Sequence, residues 1–162
     1  MGVGSVEETV WRAIQKCLNN VGVPISNCNY GVYSCGDFMA KGPGVYVFFD
    51  EEKVYYVGEA NDIARRVLNE HCRAHIGGSE GVVRFLMYFL DEVCSNKGEW
   101  SKHDAKGREE VVRDFLRGRI GKLRIFALWC VELANPSGSR KKNVKRKNLE
   151  ECLIEELRPI LQ

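Results

Sequence analysis

Between Gly44 and Gly58 the chain carries two short stretches dense in Val, Tyr and Phe, GVYVFF and KVYYVG, parted by Asp50-Glu51-Glu52. β-Branched and aromatic runs flanking a short polar break form a β-hairpin. A three-residue loop sets its register: Phe49 opposite Lys53, Phe48 opposite Val54, Val47 opposite Tyr55, Tyr46 opposite Tyr56. Opposed residues project to the same face of a sheet, so the two tyrosine hydroxyls are expected side by side. A slip of one residue would send one of them to the other face.

After Gly58 the period changes. Asn61 or Asp62 can cap a helix, and Ile63, Val67 and Leu68 recur at helical spacing, predicting a helix over 62–76. Arg65 and Arg66 then fall in its first turns, directly after the hairpin. His71 and His75 sit one turn apart on the same helix, a spacing that can serve a metal but more commonly marks solvated or core-edge histidines.

The first residues, VEETVWRAIQKCLNNV, predict an amphipathic helix, with Ser5 and Glu8 as a capping box and Gly22 and Pro24 as its stop. Residues 24–43 read as loop with a short strand near Tyr30–Tyr33. Residues 81–94 predict an apolar buried helix, 95–107 a polar loop that includes His103 and Asp104, and 108–119 an amphipathic helix. The apolar run 123–133 predicts a central β-strand. Then Arg140, Lys141, Lys142, Lys145, Arg146 and Lys147 crowd into eight residues with no acid among them. A backbone phosphate is the natural target of such a run. Residues 148–158, with Asn148 as cap, predict a helix whose stripe is Leu149, Cys152, Leu153 and Leu157.

At 162 residues and a net charge of +2, the chain suits one ordinary domain, and no run of 18 apolar residues predicts a membrane span. Seven cysteines behind an N-terminus without a basic-then-apolar leader favour a reducing cytoplasmic setting with mostly buried thiols, Cys28 and Cys35 among them.

Gly44-Val45-Tyr46, nine intervening residues, Tyr56-Val57-Gly58, and Arg66 eight residues further on resemble the GIY-YIG nuclease signature. That family includes homing endonucleases, some restriction enzymes and the nuclease module of the bacterial excision-repair incision subunit. Val stands for Ile in both tripeptides. Near the end, Glu150-x-x-Leu153-Ile154 followed by Pro159 resembles the family's last motif, whose glutamate binds the metal. The resemblance covers about 42–162 and implies an α/β (α+β) domain over 41–162: a small, mainly antiparallel three-stranded sheet (44–49, 53–58, 123–133) flanked by helices. Residues 1–40 are expected as an N-terminal helix and loop appendage, and about 77–121 as a helical insertion able to shape substrate choice.

The resemblance further implies hydrolysis of DNA phosphodiesters (RNA not excluded) with Mg²⁺ or Mn²⁺ on Glu150. Tyr46 and Tyr56 would orient or deprotonate the water, and Arg66 would bind the phosphate with Arg65 beside it. The family often has His, Tyr or Lys four residues past the arginine. Here that position is Glu70, with His71 one step later, and both are candidates to assist. Where the family often has Asn three residues past the proline, this chain has Gln162. A non-catalytic DNA-binding module on the same scaffold is the alternative reading.

Overall fold

The computed structural model describes residues 4–95, 97–139 and 141–162. Its centre is a four-stranded antiparallel sheet rather than a three-stranded one, in the order β1 (Asn29–Tyr33), β4 (Arg124–Trp129), β2 (Gly44–Phe49), β3 (Val54–Ala60). The added strand is the short Tyr30–Tyr33 stretch. It pairs with β4 from Asn29 opposite Trp129 to Tyr33 opposite Ile125. The run 123–133 does form an inner strand, shorter than expected because the chain turns off after Trp129.

The hairpin forms, but in a different register. Tyr46 faces Gly58 and Phe48 faces Tyr56, while Phe49 faces Val54, so Tyr55 is bulged out of the pairing. The cause is the turn. Asp50 Oδ1 accepts from the backbone N–H groups of Glu52 and Lys53, and Asp50 N–H donates to the Lys53 carbonyl. This makes a four-residue connection in place of three. The Tyr55 hydroxyl donates to Asp50 Oδ2 at 2.9 Å and secures the bulge. The net slip at Tyr46 is two residues, an even number, so face parity survives. Tyr46 and Tyr56 are diagonal neighbours with ring centroids 6.3 Å apart.

Alternation along β2 supplies two cores. Val45, Val47 and Phe49 pack with α1 (Val6–Val21) and α6 (Val144–Leu157) through Ile14, Leu18, Leu149 and Leu153. Tyr46 and Phe48 pack on the other face with Ile63, Val67, Val82, Phe85, Leu116 and Ile120. That second layer consists of a π-helix (Arg65–His71), α2 (Glu80–Tyr88), α3 (Leu90–Ser95), a single turn α4 (Lys97–Trp100), and α5 (Ala105–Ile120). The expected 81–94 helix is divided at Phe89, whose backbone (ψ 13°) leaves the helical region. α5 starts three residues earlier than expected because Asp104 caps it, accepting from Gly107 N–H at 2.8 Å. Ser5 caps α1 as expected, accepting from Glu8 N–H, and Gly22 ends it at φ 65°.

Two of the cysteine expectations change. Cys17–Cys152 and Cys35–Cys72 are disulfides joining positions 135 and 37 residues apart, so four of the thiols are not free. Sequence distance hid both. The first ties α1 to α6, and the second ties the loop after β1 to the residue that follows His71.

Candidate active site

β3 is an edge strand, and what covers its edge builds the site. The Val57 N–H and carbonyl point outward. The Gln162 side-chain amide meets both, accepting at 3.0 Å and donating at 2.6 Å. Ile160 and Leu161 N–H groups donate to the Val54 and Tyr55 carbonyls. One step further along the edge, the Glu59 backbone lies close enough to the Glu150 carboxylate to favour its charged form slightly. Glu150 belongs to α6, whose core lies on the far face of the sheet from Tyr46, and its charge acts on both Tyr46 and Tyr56.

The centre itself lies on the opposite face. Tyr46 Oη and His71 Nε2 are 2.9 Å apart, and His71 is fully buried. The Tyr56 ring packs on the same imidazole with centroids 5.4 Å apart. Gly58 leaves room for the Tyr46 ring, which a side chain there would strike. Gly81 does the same for α2: a Cβ would stand 2.5 Å from His71 Cε1 and 3.0 Å from Tyr56 Cζ.

His71 reaches Tyr46 because the helix after the hairpin is a π-helix. Its i→i+5 bonds include Cys72 N–H to the Val67 carbonyl at 2.8 Å and His75 N–H to the Glu70 carbonyl at 2.9 Å. One extra residue per turn carries position 71 to where position 70 would stand on an α-helix. Glu70 is displaced to the other side, where its two oxygens accept from Arg65 Nη1 at 2.7 Å and Arg66 Nη1 at 2.8 Å. Of the two candidates after the arginine, His71 therefore touches the tyrosines and Glu70 holds the arginines.

Burial sets the protonation states. It depresses His71 to about 3, helped by Arg66, so the ring is neutral. It raises Tyr46 well above the ordinary phenol value, with Tyr56 adding to the rise and Arg66 opposing it. Tyr56 is pushed up to about 12 by burial and then by Glu150. Glu150 is pushed up to about 7 by burial and by the neighbouring Glu59 carboxylate. His71 Nδ1 is buried without a partner. An unpaired acceptor is tolerated better than an unpaired N–H, so we assign the ring proton to Nε2, donated to Tyr46 Oη.

The basic run behaves differently from its appearance in sequence. Asn143, not Asn148, caps α6, accepting from Arg146 N–H at 3.0 Å, so the helix starts a turn earlier and takes in Lys145, Arg146 and Lys147. Arg146 is 2% exposed and donates to Glu59 (2.5 Å), Asn61, Asn135 and the Leu133 carbonyl. It offers no surface to a phosphate, which corrects its place among the nucleic-acid ligands. Lys142 is exposed and pairs with Glu59, Lys145 reaches the Gly22 carbonyl, and Lys147 pairs with Glu151. Lys141 is exposed, and Arg140 lies outside the described residues. The signal that was available for Arg146 is its place after a capping Asn on the helix face that carries Leu149 and Leu153.

Among the described residues no three His, Cys, Asp or Glu side chains cluster as a protein-only metal cage. A single half-buried carboxylate is a donor suited to Mg²⁺ or Mn²⁺, hard ions that take oxygen ligands and keep waters and substrate phosphates for the rest. Glu150 makes no ion pair among the described residues, and Lys142, whose charge acts on it, is committed to Glu59.

The model of the GIY-YIG catalytic domain matches residues 42–159. The chain belongs to that family. No curated protein and no solved structure matches the chain. The matched span runs from just before β2 to Pro159 and so takes in Tyr46, Tyr56, Arg66, His71 and Glu150. Family membership supports a nuclease-type function acting on nucleic acid. The GIY-YIG chain places α1 and β1 outside the match, yet both are built onto the same sheet.

Proposed function

We propose that this GIY-YIG chain is a metal-dependent endonuclease that hydrolyses DNA phosphodiesters. The observation that carries the reading is the buried Tyr46–His71 pair, with Tyr56 and Arg66 around it. Arg66 has its Nη1 anchored by Glu70 and keeps 32% of its side chain exposed, so the guanidinium is held in place with part of its donor set open to solvent. A guanidinium in that state suits a phosphate oxygen and keeps its proton at neutral pH. Tyr46 Oη, accepting from His71, releases its own proton more readily when positive charge gathers around it. As the phenolate it removes the proton of the attacking water. His71 stays neutral and acts by holding Tyr46 Oη. Tyr56 Oη would bond the same water. Mg²⁺ or Mn²⁺ held by Glu150 would supply positive charge to the phosphate and to the leaving oxygen.

The experiment is nicking of supercoiled plasmid with Mg²⁺, Mn²⁺ or EDTA by wild-type protein and Glu150→Gln. Metal-dependent nicking lost in the variant, with DNA binding kept, is the expected outcome. One observation favours a binding module without catalysis: Glu70 draws charge from both Arg65 and Arg66. Binding without nicking across linear, nicked and branched DNA would select that reading.

A further inference from the structure

Beyond the reaction centre, on the other side of Glu70, a cleft of about 580 Å³ opens between the π-helix and α5. Arg65, Asn69, Arg73, His75 and Arg113 line it, with Glu70 as its inner wall. Glu70 is already committed to Arg65 and Arg66. Arg73 is exposed and has no ion pair among the described residues. Arg113 is part-exposed, and its ion-pair partner among the described residues, Glu109, stands 3.9 Å away, beyond hydrogen-bond reach. The positive charge that the cleft offers a ligand is therefore that of the exposed Arg73 and of the part-exposed end of Arg113, since Arg65 is taken up by Glu70.

Its rim is also held. Arg117 Nε donates to the Arg73 carbonyl at 3.2 Å, joining α5 to the end of the π-helix. Cys72, next to Arg73, is tied to Cys35. The backbone that carries Arg73 is thereby fixed, so only its side chain has to order when an anion binds. Since Glu70 separates this cleft from Arg66, an anion seated here lies beside the reacting phosphate rather than on it.

We propose that this cleft is a second phosphate subsite, holding a non-scissile backbone phosphate of the DNA through Arg73 and Arg113. The inference rests on the nuclease reading and deepens it. Arg113 comes from α5, so the added helical segment contributes to substrate grip and not only to the core.

The test is DNA binding by fluorescence anisotropy in EDTA, which removes cleavage from the measurement. A labelled duplex would be titrated across a salt series with wild-type protein, Arg73→Gln, Arg113→Gln and Arg113→Lys. Arg124→Gln, whose partner Glu7 lies at the other end of the sheet, is the control. Each phosphate contact contributes about 0.9 to the slope of log affinity against log salt. Each Gln variant should lower the slope by that amount, Arg113→Lys should restore it, and the control should leave it unchanged. In plasmid nicking, both Gln variants should raise KM several-fold with kcat nearly unchanged. Wild-type slopes in Arg73→Gln, an exposed site that does not threaten folding, would overturn the subsite while leaving the nuclease reading intact. Absence of salt-dependent DNA binding by the wild type would overturn both.

Discussion

Arg66 and Arg146 look alike in sequence, each in a short basic stretch beside a signature motif, and the fold uses them in opposite ways. Arg146 is buried, with every nitrogen engaged: Nε with Glu59, Nη1 with Asn61 and the Leu133 carbonyl, Nη2 with Asn135. Arg66 keeps 32% of its side chain exposed, has one anchor on Glu70, and leaves a buried Nε unpartnered. A saturated guanidinium is a strut between α6, β3 and the Leu133 turn. An unsaturated one near the Tyr46 hydroxyl is, on the proposed reading, the group that takes the phosphate. Counting basic residues cannot separate these two, whereas counting their satisfied donors does.

The comparison breaks most visibly at Arg146. Arg146→Met removes the buried cation, leaves the Glu59 carboxylate with the exposed Lys142 as its remaining partner, and takes the donor from the Leu133 carbonyl. We expect a loss of about 3–5 kcal/mol in urea unfolding. A loss below ~1 kcal/mol would mean that the strut is not one. Arg66→Gln should do the reverse, with urea midpoints close to wild type and kcat lower by about 10²–10³, the usual cost of removing one charge-stabilising donor. If Arg66→Gln unfolded the protein and Arg146→Met kept it folded but inactive, the assignments would have to be exchanged.

The same two regions show what was legible beforehand. That Tyr46 and Tyr56 share a face could be read from spacing because hairpin parity survives an even slip in register, whereas Arg66 and Glu150 were named through the resemblance to the family. The slip itself was hidden, since it depends on Asp50 collecting three hydrogen bonds in the turn. Whether Glu70 or His71 faces the centre could not be read, because an α-helix and a π-helix give opposite answers and the period over seven residues does not separate them. Arg146 was misassigned because Asn143 begins α6 a turn earlier than the apolar stripe suggested. β1 joined the sheet through its pairing with β4, about 95 residues later, a long-range fact that local pattern does not carry.

His71 sharpens the contrast through pH. Its folded value of about 3 lies below the ordinary 6.5, so between those values the unfolded chain holds a proton that the folded one lacks. Stability from this group is present above pH 6.5 and is lost as pH falls through that window. His71→Gln should flatten the acid limb of melting temperature against pH. His71→Leu removes the donor to Tyr46 Oη as well, so its kcat profile should shift to higher pH while the Gln variant, which keeps an N–H donor, recovers part of the shift. A profile identical in the two variants would exclude the hydrogen bond as the source.

Glu150 gives the smallest stability effect and the most specific one. Its folded value, about 7, stands above the ordinary 4.5, so from pH 4.5 to 7 the folded chain holds the extra proton and stability falls as pH rises. Glu150→Gln abolishes that loss. The full shift would be worth about 3 kcal/mol, and solvent screening of a part-exposed carboxylate cuts it to about 1 kcal/mol, so at pH 8 the variant should melt roughly 2–4 °C above wild type, with the gain shrinking towards pH 4.5. Mg²⁺ should raise the melting temperature of wild type at pH 8 and leave Glu150→Gln unmoved, because ligand binding stabilises only a chain that binds it. A carboxylate that destabilises the fold at working pH without holding a cation would have neither a structural nor a catalytic reason to stand there. Equal Mg²⁺ shifts in both proteins would therefore move the metal away from Glu150 and take the proposed chemistry with it.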